Sequence, residues 1–140
     1  MNSQNYTIAY PEFWRPVKHH GYYGFTPLKR YANIFENLVS IFQYRLNEKQ
    51  EFKEFVDNQI NKANEVHDII SQEILNVNNN LGNVYIHKYE SHSNGRTYKN
   101  YVMYFEHNGE YYNCNYSSLR HKYHKYYEDA ISIFQSIKFK

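Results

Sequence analysis

From Ile34 onward the apolar positions recur with the spacing of a helix. Ile34, Phe35, Leu38, Ile41 and Phe42, then Phe52, Phe55, Val56, Ile60, Ala63, Val66, Ile70 and Ile74, follow one another mostly by three or four residues. Such steps put them on one stripe of an α-helix. No proline or glycine falls between Pro27 and Gly82. The pattern predicts one long amphipathic helix over residues 31–78, stopped by the Asn-rich run that ends at Gly82 and Asn83. At 1.5 Å per residue it makes a rod of roughly 70 Å. The stripe lapses near Asn47–Lys49, and a break there gives a helical hairpin over the same residues. Phe52, Val56, Gln59, Ala63, Val66 and Ile70 read as heptads with one polar slot, which suits a coiled coil or another helix seeking a partner helix.

Beyond Gly82 the period changes to two. Val84 to Glu90 alternates as a strand, Asn94-Gly95 marks a turn, and Thr97 to Glu106 forms a second strand. Asn108-Gly109 is a tight-hairpin signal leading into a third strand, Glu110 to Tyr116. There Tyr112, Cys114 and Tyr116 share one face while Tyr111, Asn113 and Asn115 share the other. Leu119, Tyr123, Tyr126, Ala130, Ile133 and Ile137 then space out a closing helix, with Ser117 or Ser118 as its cap. Residues 1–30 contain Pro11, Pro16, Pro27, Gly21 and Gly24 and predict an extended arm. Its rings, Tyr10, Phe13, Trp14, Tyr22, Tyr23 and Phe25, carry too much apolar area to leave in water, so it packs on its own domain or on a neighbour. The fold class expected is α+β in one folding unit: arm 1–30, long helix or helical hairpin 31–78, and a βββα subdomain 83–140 with a three-stranded antiparallel meander.

Composition narrows the function. Aromatics make up 19% of 140 residues, too many for a disordered chain. No apolar run reaches the roughly 18 residues of a bilayer span, and Met1 to Tyr10 has neither the charge nor the apolar core of a signal peptide. The single cysteine, Cys114, excludes an internal disulfide and a Cys-based zinc cage, which points to a reducing cytoplasm. Net charge is +2, but it is segregated: residues 1–33 carry four Lys/Arg against one acid, 34–83 four against eight, and 84–140 eight against five. An acidic helix between basic flanks favours packing within an assembly or steering toward a charged partner.

The catalytic signals are few. His121 and His124 stand three apart on one helix face and Glu128 lies one turn further along, but a third metal ligand at the right distance is not legible, so they read as a polar helix face. His19 and His20 read as surface or packing residues. Cys114, between tyrosines on an inward strand face, reads as a small buried apolar residue. No nucleophile elbow, phosphate-binding loop or dinucleotide fingerprint occurs. The expectation is a non-enzymatic protein with no cofactor, no metal and no small-molecule substrate. Nucleic-acid binding is the rival: helix, three strands and helix follow the order of a double-stranded-RNA-binding domain, with Arg120, Lys122 and Lys125 near the start of the last helix. Against it stand an acidic first helix, the absence of that family's Gly-rich loop and Lys pair, and a weak overall charge.

The stretch from Phe25 through Pro27, Tyr31, Ile34 and Leu38, running into Tyr44 to Phe52, resembles the N-terminal segments of virion proteins from short-tailed bacteriophages of low-GC bacteria. The resemblance spans residues 10–75. It implies a structural component associated with a portal, tail or fibre, made in the bacterial host cytoplasm and held in the virion as a homo-oligomer among other virion proteins. The expected oligomer seam is Leu38, Phe42, Phe52, Val56, Ile60, Ala63, Val66, Ile70 and Ile74, with arm contacts from Phe13, Trp14, Tyr22, Tyr23 and Phe25. The alternative is a small accessory protein that binds nucleic acid or a host protein through its Tyr/Lys-rich C-terminal part.

Overall fold

The computed structural model describes residues 6–19, 22–29 and 32–140; the side chains of residues 19, 22 and 23 lie outside that description. The chain runs β1 (Tyr6–Thr7), β2 (Arg15–His19), β3 (Tyr22–Thr26), a 3-10 turn (Ile34–Glu36), β4 (Asn37–Tyr44), α1 (Phe52–Val66), β5 (Asp68–Asn79), β6 (Gly82–Ser93), β7 (Arg96–His107), β8 (Glu110–Leu119), α2 (Arg120–Gln135) and β9 (Lys138–Phe139). Seven strands form one antiparallel sheet in the order β2-β3-β4-β8-β7-β6-β5, and β1 pairs with β9.

The predicted long helix does not form. Residues 34–79 divide into a 3-10 turn, a strand, a 15-residue helix and a second strand. The helical stripe passed over Val39, which is fully buried beside Ile41 on one face of β4. It also passed over Ile69, Leu75 and Val77 of β5, where Leu75 and Val77 alternate with Ile74 and the irregularity between Ile69 and Ser71 turns Ile69 to the α1 face. Segments crowded with β-branched residues satisfy a period of two as well as one of 3.6, and their stiff side chains pack well on a pleated surface. The break foreseen near Asn47 is the β4–α1 connection. Nor do the described residues form a coiled coil: α1 and α2 lie on opposite faces of the sheet, each facing strands.

The ends of α1 explain why it was overrun. Glu51 opens it in extended conformation with no side-chain cap, and His67 closes it at φ −105°, ψ 146°, feeding straight into β5. A helix that passes directly into a strand needs neither glycine nor proline, so the usual stop signals are missing. The same holds at β8–α2, where Leu119 is the N-cap. Neither Ser117 nor Ser118 caps that helix: their hydroxyls go to Asn100 Oδ1 and to the Leu119 carbonyl. The Asn-rich run expected to stop the helix is instead the β5–β6 turn, with Gly82 at φ 94°.

The predicted three-stranded meander is the β6-β7-β8 portion of a larger sheet. Its two turns hold Asn94 and Gly95 at φ 52° and 75°, and Asn108 and Gly109 at φ 50° and 77°. Both central residues of each turn are left-handed, the geometry that matches strand twist. The predicted extended arm adds β2 and β3 to this sheet beside β4. Gly24 lets β3 approach β4 closely, since a Cβ there would meet the Val39 carbonyl oxygen at 2.7 Å.

Alternation along the strands builds two cores. Tyr101, Met103 and Phe105 of β7 and Tyr112, Cys114 and Tyr116 of β8 face α2, meeting Tyr123, Ala130, Ile133 and Phe134. Val102, Tyr104 and Tyr111 face the other way, onto Phe55, Val56 and Ile60 of α1. Each large apolar side chain buried there stabilises the fold by about 1.5–3 kcal/mol. A polar network ties β3, β4, β8 and α2 together. The buried Asn37 Nδ2 donates to Tyr116 Oη and to Ser118 Oγ, each at 3.0 Å, while Tyr116 Oη donates to the Tyr123 carbonyl at 2.8 Å.

Candidate functional site

The α2 face of the sheet is not fully covered. Helix α2 packs over β7, β8 and β4, and along β6 the inward positions change from Val84 and Ile86 to Lys88 and Glu90. Beyond this change lies an open cleft of about 1180 Å³ between the N-terminal half of α2 and strands β5–β7. Strand register sets its floor in two rows. One is Glu73 and Lys88 on β5 and β6, with the buried Tyr101 of β7 next in register behind the lining, and the other runs Ser71, Glu90, Lys99 across β5, β6 and β7. The wall is Arg120, His121, Tyr123, His124 and Tyr127, and Arg96 and Thr97 stand at the β6–β7 end.

The two floor lysines rest on rings. Lys99 Nζ lies 4.7 Å from the Tyr123 centroid and Lys88 Nζ 5.8 Å from that of Tyr101, contacts worth roughly 0.5–1 kcal/mol where solvent reaches them. Among the described residues neither ammonium closes an ion pair. Arg120 Nε instead pairs with Glu90 at 3.3 Å, and Ser71 Oγ meets the same carboxylate at 3.1 Å. Arg96 turns to Glu36 at 2.8 Å. Together with Lys122 it holds the Glu36 carboxyl below its ordinary range, chiefly through the two hydrogen bonds.

Tyr123 and Tyr127 of the cleft wall, and Tyr101 beneath Lys88, are neutral hydrogen-bonding groups. Burial pushes the Tyr101 phenol up to about 12, helped by Tyr127 and Cys114. Burial, then Tyr127, Tyr116 and Tyr101, push Tyr123 up further, and burial and Glu128 raise Tyr127. No charged phenolate is available at neutral pH. His121 and His124 reach the cleft wall, but among the described residues no three His, Cys, Asp or Glu side chains converge as metal ligands. Cys114 is buried, and burial raises its thiol well above the ordinary value, which suits packing rather than nucleophilic attack.

The expected oligomer seam is dispersed. Val56 and Ile60 are buried under α1, Phe52 packs half-buried against Tyr85 and Tyr111, and Leu38 and Ala63 are half-buried. Phe42 is exposed on β4, whereas Val66, Ile70 and Ile74 are exposed together around β5. In the expected arm, Trp14 is buried on its own chain, its Nε1 donating to Asp129 Oδ2 at 3.4 Å. Phe25 is buried against Tyr10, and Phe13 is exposed. Tyr22 and Tyr23 lie on β3, but their side chains, like those of His19 and His20, fall outside the described set. Of the expected nucleic-acid residues only Arg120 lines the cleft. Lys122 Nζ pairs with Glu36 at 3.0 Å, and Lys125 sits over the Tyr126 ring. Sequence reasoning missed Lys88, Lys99 and Glu73. A signal existed for the two lysines, because the inward positions turn from apolar to charged at Lys88 on β6 and one inward pair further along, at Lys99, on β7.

No protein-family model matches the sequence, and no curated protein is significantly similar to it. Solved structures do share the fold. LpqN of Mycobacterium tuberculosis, involved in cell envelope biogenesis, superposes with a TM-score of 0.73 at 10% identity, over 96% of this chain and 83% of that one. The cyanobacterial PsbP protein (CyanoP) of Synechocystis sp. PCC 6803 gives 0.64 at 13%, over 96% and 86%. PA94 of Pseudomonas aeruginosa, of unknown function, gives 0.62 at 11%, over 97% and 83%. At such identities the likeness is one of fold alone. These are bacterial proteins and not components of phage particles, and the helix that the virion resemblance needed is absent, so that resemblance over residues 10–75 does not hold. Among the described residues no helix is long and apolar enough to cross a membrane.

Proposed function

We propose that the protein is a non-catalytic binding module that holds an acidic, extended stretch of a protein partner in the cleft between α2 and the β5–β7 face. The observation that carries this reading is the pair of floor lysines. Lys88 and Lys99 occupy neighbouring strands, rest on tyrosine rings and close no ion pair among the described residues, so both remain open to a ligand carboxylate. Neutral phenols and Asn100 and Thr97 around them suit the peptide and side-chain groups between such carboxylates. Nucleic acid fits less well, because Glu73 and Glu90 sit on the same floor and would repel a phosphodiester chain. The surrounding cations support that preference, since Lys122 is turned away to Glu36.

Selection from a displayed library of random peptides tests the reading. Peptides enriched in Asp and Glu are expected, with binding that weakens as salt rises. The double variant K88E/K99E should lose on the order of tenfold in affinity or more, while K88Q/K99Q loses less and both keep the wild-type melting curve. Selection with no acidic bias, or a thymidine oligonucleotide that outcompetes every selected peptide, would overturn it.

A further inference from the structure

A sheet of seven strands has two edges, and this protein treats them differently. The β2 edge is short and carries Arg15, Pro16 and Lys18, devices that discourage another strand from adding. The β5 edge, Asp68–Asn79, is 12 residues long and contains no lysine, arginine or proline. All of it except Ile69 and Leu75 is exposed. Its backbone pairs with β6 on one side only, so the other side presents a row of N–H and C=O groups whose natural complement is a β-strand. The exposed apolar surface gathers at the same place. Of eight large hydrophobic side chains exposed among the described residues, four are Val66 at 76%, Ile70 at 46%, Ile74 at 52% and Val77 at 39%.

We infer that β5 is the dimer interface of this protein, pairing antiparallel with β5 of a second copy about a two-fold axis through Ile74. That register is self-complementary. It sets Ile74 on Ile74 of the second copy, Gln72 on Asn76, Glu73 on Leu75 and Ser71 on Val77, and it sets no like charges opposite one another. It uses the regular part of the strand, beyond the irregularity between Ile69 and Ser71. The axis stands perpendicular to the sheet, so each face continues across the seam. On the α1 face Ile74 lies at the centre, with Gln72 anchored on either side by its amide exchange with Asn64 of α1 at 2.9 and 3.2 Å. On the α2 face Ser71 and Glu73, which border the cleft, gain Val77 and Leu75 of the second copy as neighbours, lengthening the floor. The inference rests on the edge and its side chains, apart from the peptide reading of the cleft.

Light scattering on the eluting protein at tens of micromolar should give twice the 17.1 kDa of one chain. Ile74→Lys places a charge on both strands at the axis and should leave a monomer with unchanged circular dichroism, because the side chain is already half exposed. Ile74→Cys supplies the geometric test. Residues directly opposite in an antiparallel pair have Cα atoms about 4.5–5.5 Å apart, within disulfide reach, and the buried Cys114 does not compete. Mild oxidation should cross-link Ile74→Cys and leave Asn78→Cys uncrosslinked. A monomeric wild type, a dimer indifferent to Ile74→Lys, or cross-linking at 78 and not at 74 would overturn the inference. None of these readouts depends on peptide binding, so the two proposals fail separately.

Discussion

Replacing Tyr116 with phenylalanine removes one oxygen atom from the network that holds the start of α2 against the sheet. Tyr116 Oη donates to the Tyr123 carbonyl at 2.8 Å and accepts from Asn37 Nδ2 at 3.0 Å. The ring itself stays stacked on Tyr123, with centroids 4.9 Å apart, so packing changes little. What is lost is one good hydrogen bond, and one N–H of a fully buried amide is left with no acceptor, since Ser118 takes only the other. A net bond is worth about 1 kcal/mol and an orphaned buried donor about 1–3, which places the variant about 2–4 kcal/mol below wild type. For a chain of 140 residues, an unfolding entropy of about 2.1 cal/mol/K per residue converts that to a drop of roughly 7–14 °C in Tm. Urea unfolding followed by far-UV circular dichroism measures it, with the m-value expected to stay constant. The network argument also requires coupling: Tyr116→Phe and Asn37→Ala together should cost less than the sum of the two alone, by on the order of 1 kcal/mol. A Tyr116→Phe protein as stable as wild type, or strict additivity with Asn37→Ala, would refute the reasoning.

Two further outcomes follow from buried titratable groups. His87 Nε2 donates to Gln72 Oε1 at 2.9 Å, while its Nδ1 is buried with no partner among the described residues; protonating Nδ1 would bury an unpaired charge, so burial lowers the pKa below the ordinary 6.5. The folded state thus binds this proton less readily than the unfolded chain: stability is full above pH 6.5 and falls by about 1.4 kcal/mol per pH unit below it, until the folded value is reached. Urea midpoints measured from pH 7.5 to 5 should show this loss in the wild type and much less of it in His87→Gln. Cys114 is fully buried with its thiol pushed well up, so a thiol-specific colorimetric reagent should count none in the native protein and one after unfolding.

The sequence by itself determined what is local. Asn94-Gly95 and Asn108-Gly109 placed two hairpin turns because left-handed backbone at two successive residues is a requirement those pairs meet without help from the rest of the chain. The alternation around them placed β6, β7 and β8, and the stepping of Leu119, Tyr123, Ala130 and Ile133 placed α2. Segments 34–46 and 68–79 were different, because their apolar residues satisfy a strand as well as a helix. What decided was strand pairing: Val39 sits opposite Tyr116, far along the chain, and β5 folds back on β6 across the turn at Gly82. Once those partners exist, the strand completes its hydrogen bonds and buries Val39. A helix over the same residues would bury only one stripe. The cleft was hidden for the same reason. Glu73, Lys88 and Lys99 come from three strands, and only the register of the sheet and the place where α2 stops covering it bring them to one surface.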